Sequence, residues 1–295
     1  MPHSADEQPG HRIGHVTIFF LLTFALSWTC FISLAVVTRG PAITAAGYAL
    51  LLLGTFAPSL VALFLTYRQE GQSGIAALWR RITNAPAGLR WYVYAIAFLP
   101  GIKLAVALVY RGIAGAWPPF GHESALIIAI AILFSTPVQA GEEVGWRGYA
   151  LPRLAARFGY ARASLLIGPI WGLWHLPLFM VPGEDYGQSF PLFLLGTTAL
   201  SVAITWLYAN TNGSLLLTML MHSAVNQTVG IVPDSSAQPG NVFSFHARLT
   251  FYLTVGFLWL AAVYLLGSLL KKDARSSGDR EPYARPGGTA SLPSP

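Results

Sequence analysis

The stretch PVQAGEEVGWRGYALPR, from Pro137 to Arg153, decides how this chain must fold. It places two adjacent carboxylates, Glu142 and Glu143, at the end of a long apolar run. An ionised side chain inside hydrocarbon costs several kcal/mol, with values from about 2.5 to well over 10. The chain has only 12 acidic residues, and the others fall in predicted loops or tails. The two glutamates therefore indicate a functional position inside an otherwise apolar protein.

The composition around this stretch is that of an integral membrane protein. Of the 295 residues, 54% are hydrophobic and 10% are charged, whereas a soluble domain carries about 25% charged residues. Such a chain cannot cover its surface in water, so we expect the lipid bilayer around it and one helical bundle rather than two domains. The net charge of +6 then reflects topology, not binding to nucleic acid. The single cysteine, Cys30, excludes an intramolecular disulfide and a thiolate cluster for zinc.

Hydropathy predicts an all-α, polytopic membrane helical bundle with about eight transmembrane helices. These form a single membrane domain over residues 15–270, between a polar N-terminal tail at 1–14 and a disordered C-terminal tail at 271–295. The predicted spans are 15–37, 47–67, 90–110, 124–145, 162–182, 189–209, 214–232 and 248–270. Most of the 18 Lys and Arg residues then lie on the side that holds both termini, which places both termini in the cytoplasm. The expected location is a cell membrane.

Spacing along the helix separates the two glutamates. Glu143 and Arg147 are four residues apart, so they share a helix face and can pair. Glu142 is rotated by about 100° and has no partner nearby in the sequence. We interpret Glu143 as a structural or orienting carboxylate and Glu142 as the reactive one. The alternative is that both glutamates are structural ions that pair with basic residues.

Three polar side chains on later spans can reach the depth of Glu142. The best turn after the fourth span lies at Gly159, and an antiparallel hairpin folded there brings Glu142 and His175 level. His222 and Asn226 are four residues apart and share one face of the seventh span. The rise per residue places both Glu142 and His222 about 15 Å from the cytoplasmic side. We predict that the four side chains meet, although each alone is more often an ordinary interhelical hydrogen-bonding group.

Small-residue faces flank the first two of these side chains. They are Gly141-x-x-x-Gly145 and Gly168-x-x-x-Gly172, and such faces allow helices to approach closely. We expect them to bring the helices of Glu142 and His175 together.

Taken together, the motifs resemble the CPBP family, the CAAX proteases and bacteriocin-processing enzymes that include the type II CAAX prenyl endopeptidases. The matching residues are Glu142-Glu143-x-x-x-Arg147, Trp171-x-x-x-His175 and His222-x-x-x-Asn226, in a motif core at 124–232. The run RGYALPR, which ends at Arg153, also resembles the sequence that follows the first motif in that family. The chain departs from the family at Trp171, where phenylalanine is usual.

The resemblance implies an enzyme, an intramembrane endopeptidase that hydrolyses peptide bonds of a membrane-associated peptide or protein substrate. The substrate class is a prenylated CAAX-type protein or a leader peptide. The resemblance also implies that Glu142 activates the attacking water with help from His175, and that His222 and Asn226 stabilise the oxyanion.

Two versions of this chemistry stay open, a glutamate-dependent endopeptidase and a metallo-endopeptidase. In the second version Glu142, His175 and His222 are three reasonable zinc ligands, with one position left for water. The expected cofactor is therefore either none that binds tightly or one zinc ion.

Two other functions compete with the endopeptidase. Intramembrane Glu and His residues also line ion pathways, so a transporter or proton-relay protein would use the same cluster. A non-catalytic bacteriocin-immunity protein would keep the motif residues for protein contacts alone. The endopeptidase predicts cleavage that depends on Glu142, whereas the transporter predicts flux that depends on it.

Overall fold

The structure is a computed structural model that describes residues 9–38, 43–181, 189–233, 242–245 and 247–278. Within these ranges the regular elements are all helices and no strand is present, which confirms the all-α prediction. The outer parts of both predicted tails, residues 1–8 and 279–295, lie outside the described residues.

Nine α-helices follow one another along the described chain, with short 3₁₀ and π segments between some of them. The α-helices are α1 Pro9–Val37, α2 Ala45–Ile82, α3 Leu89–Ala114, α4 Ala125–Ser135, α5 Ala140–Glu143, α6 Leu151–Trp174, α7 Phe190–Asn210, α8 Leu215–Thr228 and α9 Leu249–Gly278. The 3₁₀ segments are Thr136–Gln139, Leu176–Met180 and Val229–Ile231, and the π-helical segment is Val144–Ala150.

Six described helical stretches are long and apolar enough to cross a membrane. They are Gly14–Val37, Ala45–Ile82, Leu89–Ala114, Ala125–Met180, Phe190–Asn210 and Leu249–Ser276. The 56-residue stretch Ala125–Met180 covers most of two predicted spans, 124–145 and 162–182, and the shorter apolar helix Leu215–Ile231 corresponds to a third. The count of eight spans and the cytoplasmic placement of both termini stay predictions.

The first and last helices extend beyond the boundaries that hydropathy predicts. α1 begins at Pro9, and α9 continues to Gly278, into the segment predicted to be disordered. Near the end of α9, the carboxylate of Asp273 accepts hydrogen bonds from the backbone N–H groups of Tyr160 and Ala161, at 2.9 and 3.1 Å. Hydropathy marks where a helix meets lipid, and this polar contact holds a part of the helix that hydropathy does not detect.

Gly159 breaks α6 at the position where the sequence predicts a turn. Its φ of +78° lies in the region that favours glycine, because a side chain there is strained. The break separates Leu151–Phe158 from the second half of α6, which begins at Tyr160 and carries Trp171.

The two small-residue faces do not pack against each other, so this part of the sequence prediction was wrong. A Cβ atom on Gly145 would lie 2.8 Å from the backbone carbonyl of Pro58, because α2 packs there. A Cβ atom on Gly168 would lie 2.6 Å from the Cα atom of Thr198, because α7 packs there. A small face predicts that some helix approaches closely, but it does not specify which one.

Charged side chains lie inside the bundle, and apolar side chains cover much of its outside. Glu143 and Arg147 are fully buried, whereas Phe134 and Tyr264 are among many large hydrophobic side chains that are exposed. Extended apolar surface of this kind marks contact with a membrane or another apolar partner. The fold therefore places the ionisable residues of the motif core in its interior.

Candidate active site

The two glutamates lie where the helical backbone changes its winding. The 3₁₀ turn Thr136–Gln139 contains Pro137 near its start and leads directly into α5, which carries both carboxylates. A π-helical segment, Val144–Ala150, follows immediately. Segments of π-helix within α-helices occur frequently at functional sites. The backbone itself therefore marks this position, independently of its side chains.

An indole group holds Glu142. Oε2 of Glu142 accepts a hydrogen bond of 2.6 Å from Nε1 of Trp171, although the two residues are 29 positions apart. Glu142 is 7% exposed and Trp171 is 4% exposed. A hydrogen bond to an ionised carboxylate is shorter and stronger than a hydrogen bond between two neutral groups. Among the described residues Trp171 is the only hydrogen-bond donor to this carboxylate, so the second oxygen remains for water or substrate.

Glu143 makes the pair that its spacing predicts, and one more contact. Its Oε1 atom accepts a hydrogen bond of 2.7 Å from Nη1 of Arg147. The same oxygen accepts one of 3.0 Å from Nδ1 of His222, on α8. Glu143 therefore joins the π-helical segment to α8, which the sequence did not predict.

The buried ion pair is only partly hydrogen-bonded. Oε2 of Glu143 and the Nε and Nη2 atoms of Arg147 have no hydrogen-bond partner among the described residues. The guanidinium carbon of Arg147 lies 4.4 Å from the centre of the Trp171 ring. A cation over an aromatic face gains about 2 kcal/mol or more where water is absent. Charge balance with Glu143 and the ring of Trp171 together keep the cation in the interior.

The tautomer of His175 follows from its hydrogen bond. Nδ1 lies 2.9 Å from the backbone carbonyl oxygen of Trp171, one helical turn earlier. A carbonyl only accepts, so Nδ1 carries the hydrogen and Nε2 of the neutral ring is an acceptor. Trp174 and Phe193 also pack on the ring in T-shaped contacts, at centroid distances of 4.6 and 5.2 Å. His175 is thereby fixed in both orientation and protonation pattern.

α8 supplies the last two predicted site residues. His222 is buried, and its ring lies 5.2 Å from the ring of Trp171. Asn226 is exposed, and its Nδ2 atom donates a long hydrogen bond of 3.5 Å to Oε1 of Gln139. Glu142, His175 and His222 all contact Trp171, and Asn226 contacts a residue one turn before Glu142. The predicted residues are thus brought to one region, while their catalytic roles remain a prediction.

Sequence reasoning missed a group of polar side chains beside Asn226, where the end of α4 and the 3₁₀ turn after it face α8. The group consists of Ser135, Gln139, Ser223 and Gln227. The hydroxyls of Ser135 and Ser223 are 2.6 Å apart, and Nε2 of Gln227 donates to Oγ of Ser135 at 3.3 Å. The signal was available in two pairs at a spacing of four residues within apolar segments, Ser135 with Gln139 and Ser223 with Gln227.

The cofactor prediction, either none that binds tightly or one zinc ion, stays a prediction. In the part of the chain that the structure describes, no three His, Cys, Asp or Glu side chains are placed to hold a metal ion. We therefore derive no reaction step through a metal ion.

Comparison with known proteins agrees with the motifs. A family model described as "Type II CAAX prenyl endopeptidase Rce1-like" matches residues 122–228, which include every predicted site residue. The chain is also 24% identical over 251 residues to CAAX prenyl protease 2 of Methanococcus maripaludis, an alignment that covers 80% of this chain and 93% of that protein. Together with the six apolar helices, this similarity supports a multi-pass membrane protein with intramembrane endopeptidase function. Residues 122–228 of the chain are therefore similar to a type II CAAX prenyl endopeptidase Rce1-like domain, in agreement with the resemblance of the motifs.

Proposed function

We propose that this chain hydrolyses a peptide bond of a membrane-associated protein, with Glu142 as the base that activates water. The observation that carries the proposal is the state of the Glu142 carboxylate. It is almost fully buried, it has one indole donor on Oε2, and Oε1 has no hydrogen-bond partner among the described residues. His175 and His222 pack around the same indole ring.

The first step is the addition of water to the substrate carbonyl. Oε1 of Glu142 takes a proton from water while the water oxygen bonds to the carbonyl carbon. Nε2 of His175, the acceptor nitrogen of the ring, orients the water by accepting its second hydrogen. In the second step the C–N bond breaks, and Glu142 passes its proton to the departing amine nitrogen. A positioned general base of this type contributes about 10²–10⁴-fold in rate.

The tetrahedral oxyanion needs hydrogen-bond donors, and α8 supplies two. Glu143 accepts the Nδ1–H of His222 and so fixes the orientation of the ring. When Nε2 of the ring also carries a hydrogen, it donates this hydrogen to the oxyanion. The side-chain amide of Asn226 donates one hydrogen to Oε1 of Gln139, and its second hydrogen donates to the oxyanion in this scheme. Loss of one such donor typically costs about 10²–10³-fold in rate. Arg147 balances the charge of Glu143 and touches no reacting atom in this scheme.

The substrate class that we propose is a peptide held at the membrane, either a prenylated CAAX-type C-terminus or a leader peptide. Similarity to a protein named CAAX prenyl protease 2 supports the first class. The apolar outside of the bundle also suits a substrate that arrives through the bilayer of a cell membrane, because a lipid-anchored chain is already concentrated there.

Cleavage of fluorogenic peptides by purified protein in nanodiscs tests this proposal. One peptide carries a farnesylated CAAX end, a second has the same sequence without the lipid, and a third is a leader peptide. We expect Glu142→Gln and His175→Ala to lower cleavage at least about 100-fold while the protein still unfolds cooperatively. Glu70→Gln is the matched control, because Glu70 forms an exposed ion pair with Arg153. Full cleavage by both site variants would end the proposal.

Flux measurements distinguish the endopeptidase from the competing function, a transporter or proton-relay protein. Ion or solute flux in proteoliposomes that depends on Glu142, together with no cleavage of any of the three peptides, would favour a transporter or proton-relay protein.

A further inference from the structure

Trp171 contacts four of the ionisable side chains in the candidate site. Its indole N–H donates to Glu142 at 2.6 Å, and its ring lies under the guanidinium of Arg147 at 4.4 Å. Its backbone carbonyl accepts the Nδ1–H of His175 at 2.9 Å, and its ring packs against His222 at 5.2 Å. The proposed reaction gives Trp171 no role.

We propose that Trp171 is a positioning residue that fixes both proton-accepting groups of the site. Its indole N–H binds one oxygen of Glu142 and so leaves the other oxygen to face the reacting water. Its backbone carbonyl binds Nδ1 of His175 and so leaves Nε2 of that ring to face the same water. This inference rests on the proposed endopeptidase function, which it deepens by adding a residue that orients the base.

The indole is suited to this task because it is a donor only. An Nε1–H group can bind the carboxylate oxygen but cannot accept a proton from it, so Oε2 is occupied by a group that does not compete for the proton. The remaining oxygen, Oε1, is then the one available to water. A phenylalanine ring, which is usual at this position in the family that the motifs resemble, would keep the packing but would not supply the donor.

Burial makes the positioning rigid. Trp171 is 4% exposed and lies on the second half of α6, where Gly168 permits close packing of α7. Its aromatic plane is also held by the Arg147 cation above it. The Trp171 side chain therefore links the Glu143–Arg147 ion pair to Glu142. The face of its ring contacts the guanidinium of Arg147, and the N–H at the edge of the ring binds the carboxylate of Glu142.

The kinetic test compares two Trp→Phe variants. Trp171→Phe removes the donor and keeps an aromatic ring, whereas Trp146→Phe removes a buried indole N–H that has no hydrogen-bond partner among the described residues. Trp146 packs against Phe19 and Trp174 and lies outside the proposed machinery. We expect Trp171→Phe to lower kcat about 10–100-fold at a KM within about twofold, since a hydrogen bond to a charged group is lost. Trp146→Phe should keep kcat within about twofold.

A second measurement does not depend on activity. In protein labelled with ¹⁵N-tryptophan, the indole resonance that disappears in Trp171→Phe belongs to Trp171. We expect this resonance to lie downfield of the Trp146 resonance, which disappears in Trp146→Phe, and to move upfield in Glu142→Ala but not in Glu70→Ala.

The outcomes separate the two proposals. An indole resonance that does not move in Glu142→Ala overturns the positioning inference whatever the activity is. A moved resonance together with a wild-type kcat for Trp171→Phe also overturns it, because the contact would then have no kinetic effect. If the unmodified protein cleaves no peptide, the endopeptidase proposal fails, and with it the positioning role built on that reaction.

Discussion

Oε1 of Glu143 lies 3.0 Å from Nδ1 of His222, a residue 79 positions further along the chain. The same oxygen lies 2.7 Å from Nη1 of Arg147, in the π-helical segment that follows Glu143. One carboxylate thus balances a buried cation and orients a histidine on another helix. In the proposed reaction this second contact prepares His222 to donate to the oxyanion.

Glu143→Gln tests whether this buried charge supports the fold. Glu143 and Arg147 are both fully buried, so the substitution leaves a cation without its counter-charge. Breaking a buried pair in this way costs about 3–5 kcal/mol. We expect a correspondingly lower unfolding free energy in a denaturant titration in detergent, and slower peptide cleavage because His222 loses its carboxylate partner.

A double variant distinguishes the two effects of Glu143. Removal of both charges of a buried pair is often neutral or stabilising, so Glu143→Leu combined with Arg147→Met should recover most of the lost stability. It should not recover cleavage, because His222 still lacks Glu143. Recovery of wild-type cleavage in the double variant would show that Glu143 has no part in orienting His222.

Asn226→Ala tests the proposed oxyanion donor. We expect kcat to fall about 10²–10³-fold with little change in KM, since the donor acts mainly on the transition state. The side chain is exposed and makes one long hydrogen bond to the described part of the chain, so the unfolding free energy should change little. Asn210→Ala is the matched control, because among the described residues the Asn210 amide donates within α7 alone, to the carbonyl of Trp206. A wild-type kcat for Asn226→Ala would remove Asn226 from the mechanism.

Gly145→Ala tests the close packing of α2 on the helix that carries the glutamates. The added methyl group would lie 2.8 Å from the backbone carbonyl of Pro58, where no side chain can move aside. Overpacking of this type costs about 1–3 kcal/mol. Gly101→Ala is the control, because a Cβ atom there would meet no other described part of the bundle within 4 Å. Equal midpoints of thermal unfolding for the two variants would contradict the predicted packing.

Metal removal tests the glutamate-dependent version of the reaction. Because the described His, Cys, Asp and Glu side chains form no group of three suited to a metal ion, we expect cleavage to persist after dialysis against a chelator. Elemental analysis of the same sample should give clearly less than one zinc ion per chain. Activity that is lost with the chelator and returns with added zinc would favour the metallo-endopeptidase.

Local spacing in the sequence was sufficient for several features of this protein. It predicted an all-helical fold with long apolar helices, the Glu143–Arg147 pair and the break at Gly159, and each of these is present in the described residues. The reason is that helix geometry is local. Residues four apart share a face whatever surrounds the helix, and a positive φ favours glycine in any fold.

Only the tertiary structure decided which helices meet and which atoms touch. Gly145 packs against α2 and Gly168 against α7, although the sequence suggested that they pack on each other. The bonds from Trp171 to Glu142 and from His222 to Glu143 likewise join separate helices. Such contacts depend on the rotation and depth of one helix relative to another. The packing of the whole bundle sets this rotation and depth, and they cannot be predicted from the spacing of residues within a single helix.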